Sequence, residues 1–437
     1  MKIAIPIFNR ATFGRCKTVI DRLSQDPEME VVVIYPASLE LEKYGNVDVY
    51  LKEVHGKTTY HRLDYGNVLA DHSGACQISG EIIKTISEYI ESQEEAPDAV
   101  IITADRYEML PAALAFAHYR IPIYHLQAGE VTGALDEKFR HAITMLSDYQ
   151  IACTNLATDY IGQMGQAGNR VIFSGCPAVE YVQKSGINRV ICEEKPYIIL
   201  IFHPDTMQAL EEADKQAAIV LDAMIQVCET QRLECLVYMP NPDPGRERIY
   251  ERFQNALLVR PNIFKETKNA EPLVFIQKLA GATAIVGNSS CGLREAAWLG
   301  VPAVNIGDRQ GPRERPWNVV DVPVDVQKII KQTIRQIKFK SYKRSRLYNN
   351  EGYASDNIYA FIKKEKPTLK GAIGYPYWIE YRYRHFEVGR MHGNQRNISR
   401  AKPKRDPFRK PDTGSAEKTG EHQGSEATPQ EHLPVQP

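Results

Sequence analysis

Gly287-Asn288-Ser289-Ser290-Cys291-Gly292-Leu293-Arg294-Glu295-Ala296 follows an apolar run, Ala282 to Val286, and opens a helix-like run that reaches Trp298 and Leu299. Strand, small-residue turn and helix start, in that order, build an anion site. Free backbone N–H groups and the positive end of a helix dipole converge on one point. Ser289, Ser290 and Gly292 are small enough to let a phosphate reach the backbone. Glu295 falls about one turn into the expected helix, where its carboxylate can accept from a sugar hydroxyl beside that phosphate. Gly300 to Gly307 reads as a further strand, ending in Asp308, Arg309 and Gln310, which adds a fixed cation at the same sheet edge. The serine turn alone fits a plain helix N-cap equally well. Glu295 and Arg309 at their spacings favour the anion site.

Working outward, the chain alternates short apolar runs with helical patterns, which predicts parallel sheets covered on both faces. Strands are expected at Ile3–Ile7, Val31–Tyr35, Ala99–Thr103, Pro122–Leu126, Tyr149–Cys153 and Arg170–Ser174. The pattern restarts with Tyr197–Phe202, Glu234–Tyr238, Ala282–Val286 and Ala303–Ile306. The expected fold class is therefore α/β, with two doubly wound Rossmann-like domains, 1–180 and 181–365, and a ligand cleft between facing strand ends. The helical stretch Asn357–Lys364 either closes the second domain or returns to the first. Residues 366–410 form an aromatic and basic extension, with Tyr375, Tyr377, Trp378 and Tyr381 among its rings. Residues 411–437 are Gly, Ser, Pro, Glu, Gln and Thr, a composition of disorder. The extension could stack on nucleic-acid bases, or pack its rings on the parent domain and leave its charges in water. The second reading is the expected one.

At 437 residues and 43% hydrophobic content the chain can bury two real cores. Its 54 basic and 54 acidic residues cancel, so no global field selects nucleic acid or an anionic membrane. No apolar run is long enough to span a bilayer. The eight cysteines show no C-x-x-C pair and no zinc spacing, and read as reduced thiols of a cytoplasmic protein.

Five further polar islands sit at expected strand ends. They are Asn9–Arg15, Ala104–Glu108, His125–Gly133 with Asp136, Glu137, Arg140 and His141, then His203–Thr206, and Pro240–Asp243. Arg10, Arg106 and Arg309 offer cationic forks for a diphosphate. Asp105, Glu130, Asp136 and Glu137 offer carboxylates for proton transfer, and His203 a general acid or diphosphate donor. Cations that hold a departing diphosphate beside a carboxylate suit cleavage at a sugar anomeric carbon. Neither an ATP P-loop nor a Gly-x-Gly-x-x-Gly after the first strand is present.

These islands, in this order, resemble the UDP-N-acetylglucosamine 2-epimerases over about residues 1–365. The run Gly129-Glu130-Val131-Thr132-Gly133, with Asp136 and Arg140-His141-Ala142-Ile143-Thr144, resembles the hydrolysing branch, which makes N-acetylmannosamine for sialic-acid-type sugars. The resemblance implies GT-B architecture, a UDP-sugar substrate held between the lobes, no metal or redox cofactor, and homo-oligomeric assembly. By position it implies that Ser289 and Ser290 bind the diphosphate, that Glu295 holds the ribose, and that Arg10, Arg106, His203, Asn241 and Arg309 contact UDP. Asp105 and Asp136 would act on the sugar. Thr12 stands where relatives carry an acidic residue, and Gln127 where many carry a Glu assigned acid/base work. Gln127 can position a hydroxyl but cannot carry a proton, so that task passes to Asp105, Asp136 or Glu130. The rival functions are a GT-B glycosyltransferase and a non-catalytic UDP-sugar binder.

Overall fold

Runs such as Ala99-Val100-Ile101-Ile102-Thr103 are buried along their whole length, as strands sandwiched between helical layers must be. The structure, a computed structural model, describes residues 1–40, 56–65, 71–166, 168–267, 271–364 and 366–370, and only the backbone at residues 10 and 11. The first lobe holds β1 (Lys2–Pro6), β2 (Glu30–Pro36), β3 (Thr58–Leu63), β4 (Ala99–Thr103), β5 (Ile123–Ala128), β6 (Tyr149–Ala152) and β7 (Val171–Phe173). Its helices are α1 (Arg10–Ser24), α2 (His72–Glu91), α3 (Met109–His118), α4 (Asp136–Leu146), α5 (Asn155–Gln163) and α6 (Pro177–Lys184). The second lobe holds β8 (Tyr197–Ile201), β9 (Glu234–Tyr238), β10 (Phe264–Glu266), β11 (Ala284–Gly287), β12 (Ala303–Ile306) and β13 (Val319–Val322). With them come α7 (Leu210–Gln231), α8 (Arg246–Val259), α9 (Pro272–Gly281), α10 (Glu295–Leu299), α11 (Val326–Phe339) and the last helix, α12 (Ala354–Lys364).

Both sheets are parallel. The strand orders are β3-β2-β1-β4-β5-β6-β7 and β10-β9-β8-β11-β12-β13. Each order reverses direction once, between β1 and β4 in the first sheet and between β8 and β11 in the second. Loops leaving such neighbours diverge to opposite faces and open a crevice at the carboxyl ends of the strands.

The interior strands match the sequence expectation closely, and three edge strands were not anticipated. In β3, only Leu63 is buried, so the continuous apolar run that marks an inner strand is missing. The strands β10 and β13 are short and partly exposed for the same reason. The polar island Asn9–Arg15 forms the start of helix α1. Asn9 caps it, its Oδ1 accepting the Thr12 N–H at 2.9 Å and the Thr12 hydroxyl at 3.2 Å. Thr12 is thus spent on the cap, and Arg15 lies more than a turn inside the helix.

Helix α12 settles the alternative left open at Asn357–Lys364. Ile358 and Ile362 join the core of the first lobe, with Ile3, Ile20 and Val31. Arg22 holds Asp356 at 2.6 Å and Lys363 holds Asp26 at 2.7 Å. The chain end of the expected 181–365 domain therefore packs on the first lobe, because its apolar stripe finds an unfilled face beside α1. Residues 371–410 of the expected extension and the 411–437 tail lie outside the described residues, and so does the Arg10 side chain.

Candidate active site

The two switch points face each other. Gly287, at the end of β11, has φ +135°, and a Cβ there would stand 1.9 Å from the Ile201 carbonyl oxygen, so only glycine fits. That close approach lets Asn288 lock onto the neighbouring strand. The Asn288 Oδ1 accepts the His203 N–H at 2.7 Å, and its Nδ2 donates to the His203 carbonyl at 2.8 Å. The Asn241 N–H donates to His203 Nδ1 at 3.2 Å, which puts the proton of the neutral ring on Nε2.

A cavity of about 190 Å³ runs along this seam. Its apolar lining includes Ile201, Tyr238, Phe275 and Ile276, with Tyr238 and Phe275 edge to face at 5.3 Å. The lining also presents the polar His203, Asn241, Ser289, Ser290, Glu295, Arg309 and Arg15. The Oε2 of Glu295 is buried and makes no hydrogen bond. A buried acceptor left this way costs about 1–3 kcal/mol, so the position suits a ligand hydroxyl. The lining thus combines apolar side chains with a carboxylate, hydroxyls and cations.

A smaller cavity continues from it past Arg15, Asn241, Ser290 and Arg309 to Asp105, Arg106, Thr132, Asp136 and Arg313. Here both lobes contribute, and they touch directly. The Gly133 N–H donates to the Arg309 carbonyl at 3.3 Å, and a Cβ on Gly133 would meet the Asp308 carbonyl oxygen at 1.9 Å. Arg106 of the first lobe holds Asp243 of the second at 2.5 Å.

Comparison with known proteins agrees with this layout. A family model described as UDP-N-acetylglucosamine 2-epimerase matches residues 15–363. The chain belongs to this family. It is 30% identical over 371 residues to a Legionella pneumophila UDP-N,N'-diacetylbacillosamine 2-epimerase (hydrolyzing), covering 83% of this chain and 95% of that one. It is 28% identical over 329 residues to a Neisseria meningitidis UDP-N-acetylglucosamine 2-epimerase, covering 73% and 83%. Its fold is that of the Methanocaldococcus jannaschii UDP-GlcNAc 2-epimerase solved with UDP-GlcNAc and UDP, at TM-score 0.69, 17% identity, and 84% and 100% coverage. The two-lobed architecture is GT-B.

Within this epimerase-family site the carboxylates divide sharply. Asp105 is surrounded by arginines: it pairs with Arg140, and Arg15 and Arg313 lie 3.6 and 3.9 Å away. Glu130 takes Arg294 at 2.5 Å and Arg313 at 2.9 Å. Burial opposes the Glu130 charge, but Arg294 and Arg313 outweigh it and hold the carboxyl below its usual range. Asp136 goes the other way. Burial, and then the nearby Asp243 carboxylate, push it above its ordinary value despite Arg309 and Arg106. Burial, with Arg294 and Arg313 adding repulsion, lowers Arg15 to about 10, which still leaves it charged at neutral pH.

Three expected site residues do not reach the cavities. Gln127 is 1% exposed, with φ +66° where β5 meets an irregularity in its pairing with β6. Its amide donates to Cys176 Sγ at 3.6 Å and its Oε1 accepts from Arg294 at 3.3 Å. Gln127 therefore orients an arginine. Glu130 likewise anchors two arginines and is poorly suited to carry a proton. Gly292 lies over the second sheet, its carbonyl accepting from Asn318 at 3.0 Å. The expected helix after the serine turn is in fact a 3-10 turn, Ser290–Gly292, and then α10, so Glu295 opens the helix.

Sequence reasoning assigned no task to Arg15, Asp243, Phe275, Arg294 or Arg313. Arg15 and Asp243 stood inside quoted islands. The helical period of α1 would have turned Arg15 toward the strand end. Arg294 stands inside the Gly287–Ala296 stretch, but its partners Gln127 and Glu130 lie on the other lobe, and nothing local marks Phe275 or Arg313.

Proposed function

We propose that this protein is a cytoplasmic, hydrolysing UDP-HexNAc 2-epimerase that releases UDP and a free 2-acetamido sugar inverted at C2. The single observation that carries this is the continuity of the two cavities. Arg15, Asn241, Ser290 and Arg309 line both, so one ligand can lay its diphosphate on them with a nucleoside on one side and a sugar on the other.

In this reading Arg309 and the Ser289–Ser290 turn take up charge as the C1–O bond to UDP breaks, and Arg106 adds to the field. Asp136 removes the C2 proton. The electrons of that C–H bond form the C1=C2 double bond while those of the C1–O bond leave with the diphosphate. Water then adds its oxygen at C1 and gives up a proton, C2 takes a solvent-derived proton on the opposite face, and Asp136 returns the proton it removed to solvent. The C2–H is a weak acid, so leaving-group departure leads. A base raised by its surroundings suits the step better than Glu130, whose arginines weaken it. The sugar takes its place beside Thr132, Asp136 and Gln310. The Legionella relative is named for a diacetylbacillosamine nucleotide, and either that sugar or N-acetylglucosamine, the latter feeding sialic-acid-type synthesis, fits the chemistry.

The test is proton NMR in heavy water with UDP-GlcNAc and, separately, UDP-N,N'-diacetylbacillosamine. Free UDP appearing in step with a 2-acetamido sugar deuterated at C2 is expected from one of them. A second reading, a UDP-sugar binder without turnover, draws on Gln127, whose amide is committed to Arg294 and Cys176. It requires calorimetric binding of the UDP-sugar with neither UDP nor free sugar released.

A further inference from the structure

Asp243 lies in the loop after β9, on the second lobe, and is 5% exposed. Its Oδ1 accepts from Arg106 Nη1 at 2.5 Å, and its Oδ2 lies 4.0 Å from Arg309. These two arginines face Asp136 across the smaller cavity. Arg106 comes from the first lobe, where Glu108 also holds it at 3.0 Å. Arg309 and Asp243 arrive together with the second lobe.

We propose that Asp243 is a positioning residue for proton transfer, clasping Arg106 and Arg309 from across the cleft so that Asp136 keeps its strength as a base. The inference rests on the assignment of Asp136 given above. Two arginines beside a carboxylate favour its charged form and make it a weak base. Asp243 pairs with Arg106, stands beside Arg309 and adds a like charge of its own. After burial it is the largest influence raising Asp136. Glu108, behind Arg106, acts in the same direction. Arg15, Asp105 and Arg313 also line the cavity, where the two arginines outnumber the one carboxylate, so this group adds to the pull that Asp243 must counter. On α4 itself, Glu137 is engaged by the Thr132 N–H and by His141. Asp243 and Arg309 sit on the same lobe, so Asp136 meets its full environment only when the lobes are together.

The experiment compares kcat against pH for the full-length protein and for Asp243→Asn and Asp243→Glu. With Asn, Arg309 loses the charge beside it and Arg106 keeps only Glu108, so Asp136 loses its proton more readily. The acidic limb is expected to move about one pH unit lower, with the plateau kcat falling about tenfold. Asp243→Glu keeps the charge and is expected to hold the limb at its wild-type position. An unmoved limb in Asp243→Asn overturns the inference, as does an equal shift in Asp243→Glu. Loss of cooperative melting in Asp243→Asn makes Asp243 structural and overturns it too. A wild-type protein that turns over no UDP-2-acetamido sugar sinks the reading of the site itself, a result seen before any variant is made.

Discussion

The two lobes share one strand order and do different work with it. In the second lobe the loops at the switch point are closed upon themselves. Gly287, Asn288 and His203 hydrogen-bond within the lobe, and the apolar slot, Glu295 and the serine turn come from neighbouring elements. In the first lobe the equivalent loops are incomplete alone. Arg106 finds Asp243, and Glu130 finds Arg294 and Arg313, only across the cleft. The difference teaches that the larger cavity takes its apolar slot, Glu295 and serine turn from one lobe, with Arg15 and Tyr181 added by the other, whereas the charged groups of the smaller cavity come from both and pair across the cleft.

That contrast is open to direct attack. Removing the base at the assembled end should have the largest effect. Asp136→Asn is expected to lower kcat by about 10²–10⁴-fold with KM little changed. Because a base must be unprotonated, wild-type activity falls as pH drops through the Asp136 pKa, which lies above the ordinary carboxylate value. That acidic limb should vanish from the residual activity of the variant, and steady-state rates across pH read both. A variant with the full rate would move the chemistry elsewhere.

Arg309, at the junction of the cavities, should come next. Arg309→Ala is expected to reduce kcat about 10²–10³-fold through lost stabilisation of the leaving diphosphate. Near-normal turnover there would break the assignment of the shared seam. The smallest effect belongs to the self-contained lobe. Glu295→Gln keeps the shape and loses the anionic acceptor, so it should raise KM and the Kd for UDP about tenfold, with kcat almost unaffected. Calorimetry with UDP alone checks this, and a loss confined to kcat would merge the two regions into one.

Legibility followed the same division. Inner strands such as Glu234–Tyr238 and Ala303–Ile306 could be read residue by residue, because burial on both faces demands an unbroken apolar run. The edge strand Thr58–Leu63 could not, since half its surface meets water. Ser289, Ser290, Glu295, Asn241, His203 and Arg309 were legible because each follows a strand end. Gln127 and Glu130 were equally visible as motif letters, yet their side chains turn to arginines from another part of the chain. Thr12 looked like a departure in the site and proved to be part of a helix cap.

From the amino-acid order alone came the two parallel sheets, the cleft at their carboxyl ends and the Ser289, Glu295 and Arg309 lining of the larger cavity, since short-range periodicity and turn chemistry decide these. Tertiary structure alone decided which carboxylate carries a raised pKa. Asp105, Glu130 and Asp136 are the same kind of group in the sequence. What separates them is burial together with the sign of charges arriving from remote segments, Arg294 and Arg313 at one and Asp243 at another, and electrostatic energy depends on distance in space rather than along the chain.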